Sequence, residues 1–309
     1  MSHRRAGWPS VTAVVATRDR PEQLRRAVEH ILAQRYRGEI ECVVVFDQSR
    51  PRAPVAPLGE RRSLRAVTND RTPGLAGARN TGAAAAAGEL VAFCDDDDEW
   101  LPDKLQRQVE ALKRIPSAEV AATGIEVHYG KRVVPRVSSA PQVWLDDLLR
   151  SRHADIHPST ILVRRAAFLD GIGPVDEAIP GSYGEDYEWV LRAARRGPVV
   201  TVQEPLVRVY WHQSSFFEGQ WETNASALQY LLDKYPEFAR HPAGLARICG
   251  QIAFARAASG RKAEARKWAR RTLRLNRRER RAYLALAITS GLVSPKAVLA
   301  VAHRFGKGV

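Results

Sequence analysis

Four consecutive aspartates, Asp95 to Asp98, follow directly on the apolar run Leu90, Val91, Ala92, Phe93 and Cys94. Carboxylates on neighbouring residues repel one another, and crowding them raises a pKa unless a metal ion or another cation neutralises them. Mg²⁺ or Mn²⁺ takes one or two carboxylates from a protein and fills its remaining positions with water and phosphate oxygens, so an acidic strand end points to a phosphate-bearing ligand. A charge run standing alone is more often a solvated turn, so its flanks decide. A second acidic pair, Glu185 and Asp186, opens a helical pattern in which Tyr187, Val190, Leu191 and Ala194 form one stripe. Carboxylates there sit near the positive end of a helix dipole, which keeps them ionised.

The elements that must position these groups alternate between two periods. Residues 12 to 16 form a short apolar run, and Pro21 opens a helix whose face carries Leu24, Ala27, Val28, Ile31 and Leu32. Ile40 to Phe46 reads as a second strand ending at Asp47, Leu64 to Thr68 as a third, and Leu75 to Ala87 as an Ala-rich helix before the fourth at Leu90 to Cys94. Such alternation predicts an α/β domain with a mostly parallel sheet flanked by helices, and in such sheets ligands bind beyond the carboxyl ends of the strands. Thr17 to Asp19, Asp47 and Asp95 to Asp98 all fall at strand exits. Asp98 reads as a cap of the helix that follows Leu101-Pro102-Asp103, while Asp19 reads equally as a site residue and as a cap of the helix that Pro21 opens.

Five segments in order carry a resemblance to the family 2 glycosyltransferases with a GT-A, Rossmann-like fold. They are Val14 to Pro21 (VVATRDRP) with the helix ending at Ala33-Gln34, Val43 to Ser49 (VVVFDQS), Ala78 to Gly82 (ARNTG), Phe93 to Leu105 (FCDDDDEWLPDKL) and Gly184 to Gly197 (GEDYEWVLRAARRG), together covering roughly residues 10 to 215. The resemblance implies an inverting, metal-dependent enzyme that moves a sugar from a nucleoside diphosphate sugar to an acceptor hydroxyl on a glycan, a lipid-linked carrier or a small natural product. It places Thr17, Arg18, Asp19, Asp47, Arg79, Asp95 and Asp96 around the nucleotide sugar. Asp47 would accept from the base, Arg18 would stack where many members have a tyrosine, and Asp95 or Asp96 would reach the ribose. Asn80, beside Arg79, would line the same pocket. The resemblance names Asp97 and Asp95 as ligands of Mn²⁺ or Mg²⁺, His212 as a third ligand or a donor to the diphosphate, Asp186 as the base that takes the acceptor proton, and Glu185 as the other member of that acidic pair. This chain departs from the family's Asp-Asp pair at the second strand, where Phe46 holds the first position. His157, before Pro158, is a weaker candidate than His212.

Other classes fit less well. Gly74, Gly77 and Gly82 do not form a dinucleotide-binding fingerprint, and Thr17-Arg18-Asp19-Arg20 lacks the glycine-rich, lysine-bearing loop of a nucleotidyltransferase. The remaining alternative is a basic-tailed nucleotide-sugar-binding or scaffold protein without turnover. Cys42, Cys94 and Cys249 are too few and too scattered for a disulfide framework or a zinc site.

Charge divides the chain. Arg240 to Val309 holds 17 Lys and Arg against 2 acidic residues, while the rest holds 31 against 32, so the net +14 resides in the tail. The expected organisation is a catalytic domain over 1–222, with a nucleotide half at about 10–105 and an acceptor half at about 106–222, followed by a basic, α-helical C-terminal extension over 223–309. Within it, Ile252, Ala255 and Ala258 lead through Gly260 to Ala265, Trp268 and Leu273 in the manner of one helix-turn-helix repeat. Its expected partner is an anionic membrane surface or water alone. Nucleic acid is not expected, because stacking aromatics are few. With no apolar leader among its first residues, the chain is expected to be cytoplasmic, peripheral at the inner face of the membrane if the basic region meets lipid.

Overall fold

The computed structural model describes residues 7–52, 59–130, 132–211 and 219–304. Its strands are β1 (Val11–Thr17), β2 (Ile40–Phe46), β3 (Arg62–Thr68), β4 (Leu90–Asp95), β5 (Glu99–Trp100), β6 (Val120–Tyr129), β7 (Arg132–Arg136), β8 (Gln142–Val143), β9 (Leu162–Arg164) and β10 (Val199–Tyr210). Its α-helices are α1 (Pro21–Leu32), α2 (Leu75–Ala85), α3 (Lys104–Arg114), α4 (Leu145–Arg150), α5 (Glu185–Arg196), α6 (Trp221–Lys234), α7 (Pro242–Ala258), α8 (Lys262–Leu275), α9 (Arg280–Thr289) and α10 (Pro295–Arg304).

The strands form one sheet in the order β3-β2-β1-β4-β9-β6-β10-β5, with β7 beside β6 and β8 beside β10. The first four are parallel, β9 runs antiparallel to both of its neighbours, and β6 and β10 are parallel again. This is the α/β, GT-A type of sheet expected from the sequence. Strands β1, β2 and β4 are buried on both faces, as continuous β-branched and apolar runs between two helical layers require. On one face Leu24, Val28 and Ile31 of α1 join Leu105, Val109 and Leu112 of α3 in a core with Val11, Val15 and Val44. On the other face α2 lies so close that a Cβ at Gly82 would stand 2.2 Å from a methyl of Val14 and 2.9 Å from one of Val45. Its helix stops at Ala85, two residues short of the expected end.

Register puts the strand exits level. Thr17 pairs with Phe46, and Ala16 pairs with Asp95. Residues 18, 47 and 96 therefore leave the sheet at one edge, as the sequence predicts.

Contacts divide the chain into two compact units. The first holds the whole sheet within residues 1–145, 153–177 and 189–211; the second is 146–152, 178–188 and 212–309, so the division passes through α5. The second unit is helical. Ala253, Phe254 and Ala257 of α7, Ala265 and Ala269 of α8, and Ala282, Ala285 and Ile288 of α9 form its core, where small side chains let helices pack closely. The chain reverses between α7 and α8 at Gly260, whose φ of +80° suits a residue without a Cβ.

Gly82→Ala is expected to cost about 1–3 kcal/mol, because the added methyl must displace Val14 and Val45 in a packed layer. A urea titration showing the midpoint lowered at unchanged slope would record it.

Candidate functional site

The acidic run leaves β4 in a tight turn rather than a helix. Asp95 ends the strand, the Asp98 backbone N–H donates to the Asp95 carbonyl at 3.2 Å, and β5 starts at Glu99. Asp98 does not cap a helix, since the first position before α3 is Asp103. It is instead buried, and its carboxylate accepts a 2.5 Å hydrogen bond from the Ser159 hydroxyl. Burial, with the charges of Asp95 and Asp97, pushes the Asp98 carboxyl well above the usual range, against the pull of Ser159.

Each other member of the run has its own partner. Asp95 accepts from Arg79, a buried guanidinium, at 2.7 Å, and its backbone N–H donates to Ser159 Oγ at 3.0 Å. Asp96 is buried and accepts from the Thr17 hydroxyl at 2.8 Å and from Arg20 at 3.2 Å; burial pushes its carboxyl up to about 6 despite the Thr17 bond. Asp97 faces Arg20 at 3.1 Å. Thr17, Arg79, Asp95, Asp96 and Asp97 are thus brought together.

The turn at Pro158–Thr160 closes this centre from beneath. Ligand atoms of Asp95, Asp98 and His157 lie within 4.8 Å of one another. His157 Nδ1 stands 3.4 Å from Asp98 and accepts from the Ser159 backbone N–H at 3.4 Å. Two carboxylates and one imidazole at this spacing suit a divalent cation, and the raised Asp98 shows that positive charge is favoured there. Among the described residues this cluster joins Asp95, an expected ligand, to Asp98, read from the sequence as a helix cap, and His157, read as a weaker candidate than His212. His212 lies outside the described residues. Lys104, fully buried over the Trp100 ring, donates to Gln108, which in turn donates to the Thr160 and Ala121 carbonyls at 2.7 and 2.9 Å and so ties this turn to α3. Burial pushes Lys104 down to about 7.

At the neighbouring strand exit Asp47 is buried and accepts from Asn69 at 2.7 Å, Gln48 at 3.1 Å and the Gly74 backbone N–H at 3.1 Å. It lines a cleft of about 390 Å³ with Ser49, Arg50, Arg71 and Pro73, within the range of small-ligand pockets. Arg18 and Asp19 are exposed after β1. Asp19 has a φ of 53° and does not cap α1, which is preceded by Arg20 and has no side-chain cap.

Asn80 is committed elsewhere than to a ligand: its amide donates to the Val175 carbonyl and Glu177 and accepts from the Val175 N–H, all within 2.7–2.8 Å. Glu177 also receives Arg71 at 2.5 Å and the Thr72 N–H at 3.2 Å. Glu177, His157 and Ser159 reach the site from distant parts of the chain, which is why sequence spacing gave them little or no weight.

Glu185 and Asp186 stand in the first turn of α5, in the second unit, Glu185 buried. Asp186 faces Arg152 at 3.0 and 3.3 Å. Tyr187 donates to the Leu148 carbonyl at 2.6 Å and accepts from Arg247 at 3.1 Å.

The chain belongs to glycosyl transferase family 2, whose model matches residues 12–170. The succinoglycan biosynthesis protein ExoO of Rhizobium meliloti (strain 1021) is 38% identical over 217 residues, 65% of this chain and 60% of the relative. The UDP-Glc:alpha-D-GlcNAc-diphosphoundecaprenol beta-1,3-glucosyltransferase WfgD of Escherichia coli is 30% identical over 104 residues, 33% of this chain and 40% of that protein. The chain spans 60–63% of the length of the first two curated relatives it matches. Among solved structures, S. aureus TarS 1-349 in complex with UDP-GlcNAc shares the fold at a TM-score of 0.61, with 16% identity over 96% of this chain and 92% of that one. Mannosyltransferase PcManGT from Pyrobaculum calidifontis, in complex with GDP-Man and Mn²⁺, does so at 0.51, with 18% identity over 97% and 81%.

Burial would raise the Glu177 carboxyl, but hydrogen bonds from Asn80, Arg71 and Thr72 outweigh it and hold the group at about 2. A carboxyl lowered on folding contributes stability that is complete above its ordinary value of 4.5 and is lost as pH falls toward 2. Glu177→Gln is therefore expected to lower the melting temperature at pH 7, and the gap to wild type should narrow as scans move from pH 5 to pH 3.

Proposed function

We propose that this chain is an inverting glycosyltransferase that uses a divalent metal ion and transfers a sugar from a nucleoside diphosphate sugar to an acceptor hydroxyl. The observation that carries the reading is the level register of β1, β2 and β4, which sets Thr17 to Arg20, Asp47 and Asp95 to Asp98 along one sheet edge in a family 2 chain. In this reading the base enters the cleft beside Asp47, where Arg18 is free to stack on it. Asp95 or Asp96 meets the ribose, and Arg79 holds Asp95 in place. Asp95, Asp98 and His157 would hold Mn²⁺ or Mg²⁺, with Asp97 completing the set; a bound ion would offset the charge growing on the leaving diphosphate. The acceptor oxygen attacks the anomeric carbon from the face opposite the diphosphate, the bond from that carbon to the diphosphate oxygen breaks, and the acceptor proton passes to Asp186. Arg152 holds Asp186 at 3.0 Å, and Glu185 precedes it in the same turn. Two relatives, a glucosyltransferase acting on a diphosphate-linked carrier and a succinoglycan biosynthesis protein, fit a glycan or lipid-linked acceptor.

The basic region extends the reading to a location. Lys267, Arg270 and Arg274 are exposed at helical spacing along α8, followed by Arg277, Arg278 and Arg280. Such a row suits anionic headgroups at the cytoplasmic face of a membrane. Among the described residues no helix is long and apolar enough to cross one.

Thermal scans with UDP, GDP and dTDP, each with Mn²⁺ or Mg²⁺, test the donor half. A nucleotide at a hundredfold excess over its Kd should stabilise the chain by about 2.7 kcal/mol, and chelation of the metal should abolish most of the gain. Asp186→Asn should keep that stabilisation while donor-dependent transfer falls on the order of a hundredfold or more. Stabilisation by no nucleotide under any metal condition would remove the reading.

A further inference from the structure

Among the described residues of the second unit, one cation, Arg247, has no carboxylate to balance it. Arg247, on α7, is half-buried, and its Nε is fully buried without a hydrogen-bond partner. Its guanidinium donates at 3.1 Å to the neutral Tyr187 hydroxyl and lies 5.6 Å from the centre of that ring. Among the described residues it has no carboxylate partner. The neighbouring charges that depress it after burial are Arg152 and Arg281, both of its own sign. Arg152 stacks on Tyr187 as well, at 5.7 Å, and is already matched by Asp186, while Arg281 is matched by Glu279 at 3.0 Å. A guanidinium cannot shed its proton to escape this arrangement, and an uncompensated buried charge is costly.

The same residues line a small cavity. Arg152, Tyr183, Tyr187, Arg247 and Gln251 line about 10 Å³ of free space within the second unit, together with Ile179, Gly184, Ile248 and apolar side chains of α6. That is room for one water-sized atom, hence for one oxygen of a larger anion. Arg152, 39% exposed, is placed to meet the remaining oxygens.

We infer that Arg247 and Arg152, with Tyr187 between them, bind a phosphate or diphosphate group carried by the acceptor. One anionic oxygen enters the space beside Arg247, and the others meet Arg152, which also holds Asp186. The inference rests on the proposed role of Asp186 at the acceptor hydroxyl. It narrows the acceptor class to phosphorylated compounds, since a neutral glycan would leave Arg247 unbalanced. Arginine suits this task because its planar donor set matches phosphate oxygens.

The test is calorimetric titration of the full chain, in buffer containing Mg²⁺ and saturating nucleoside diphosphate so that the nucleotide cleft is filled. Titrants are glycerol 1-phosphate, methyl diphosphate and citronellyl diphosphate. Wild type should bind at least one of them saturably, and Arg247→Gln and Arg152→Gln should each weaken it at least tenfold, with Arg247→Lys recovering part of the loss. Tighter binding of citronellyl than of methyl diphosphate would identify a lipid carrier as the source, whereas equal binding of all three would identify a phosphorylated glycan or polyol. A melting curve confirms that each variant is folded, and the lysine variant serves if the glutamine variant is not. Saturable binding unchanged by either glutamine variant, or no binding to folded wild type, would overturn the inference. Failure here alongside donor-dependent transfer would remove the anion site and leave the transferase. Binding here without any transfer would do the reverse.

Discussion

Negative charge concentrated at the end of a buried strand is the constraint around which the first unit is built. Four carboxylates end and follow β4, two of them buried, and each must be neutralised, protonated or given donors. The fold divides them. Arg79 takes Asp95, Thr17 and Arg20 take Asp96, Arg20 also takes Asp97, and Ser159 takes Asp98. Even so, Asp96 and Asp98 stay raised by burial, so positive charge is still favoured at the turn. A cation arriving with a diphosphate answers that demand.

The supporting elements make sense as means of holding this turn. The parallel strands β1, β2 and β4 set three polar exits level, and α2, pressed against the sheet at Gly82, supplies Arg79 from above the strand end. From the other side a buried chain of hydrogen bonds runs from Lys104 through Gln108 to the Thr160 carbonyl, fixing the turn that carries His157 and Ser159. That arrangement buries a lysine that among the described residues has no carboxylate partner, and burial depresses it to about 7, a cost the packing of α3 must offset.

The sequence disclosed what is encoded locally. Apolar runs, Pro21 and the acidic run were enough to expect β1, α1, β2, α2 and β4 and the sheet edge where they converge, because strand exits in parallel sheets share one side. It disclosed less of what folding brings from afar. Asp98 resembled a helix cap because Pro102 and Asp103 follow it, but the turn into β5 intervenes and buries it against Ser159, 61 residues away. Asn80 sits beside Arg79 in sequence, yet helical geometry turns it to Val175 and Glu177. His157 carried no local signal except the proline after it, and the unbalanced Arg247 becomes visible only once its neighbours are known to be Tyr187, Arg152 and Arg281.

The central claim is that the Asp95 to Asp98 turn holds the metal and diphosphate of a sugar donor. Anomalous diffraction at the manganese edge, from crystals grown with Mn²⁺ and the nucleoside diphosphate that stabilises the chain, tests it most directly. The account predicts a single strong peak about 2.2 Å from carboxylate oxygens of the run, bridged to the diphosphate. Nucleotide bound with its diphosphate away from Asp95 to Asp98, or a manganese peak with no ligand from that turn, would contradict it.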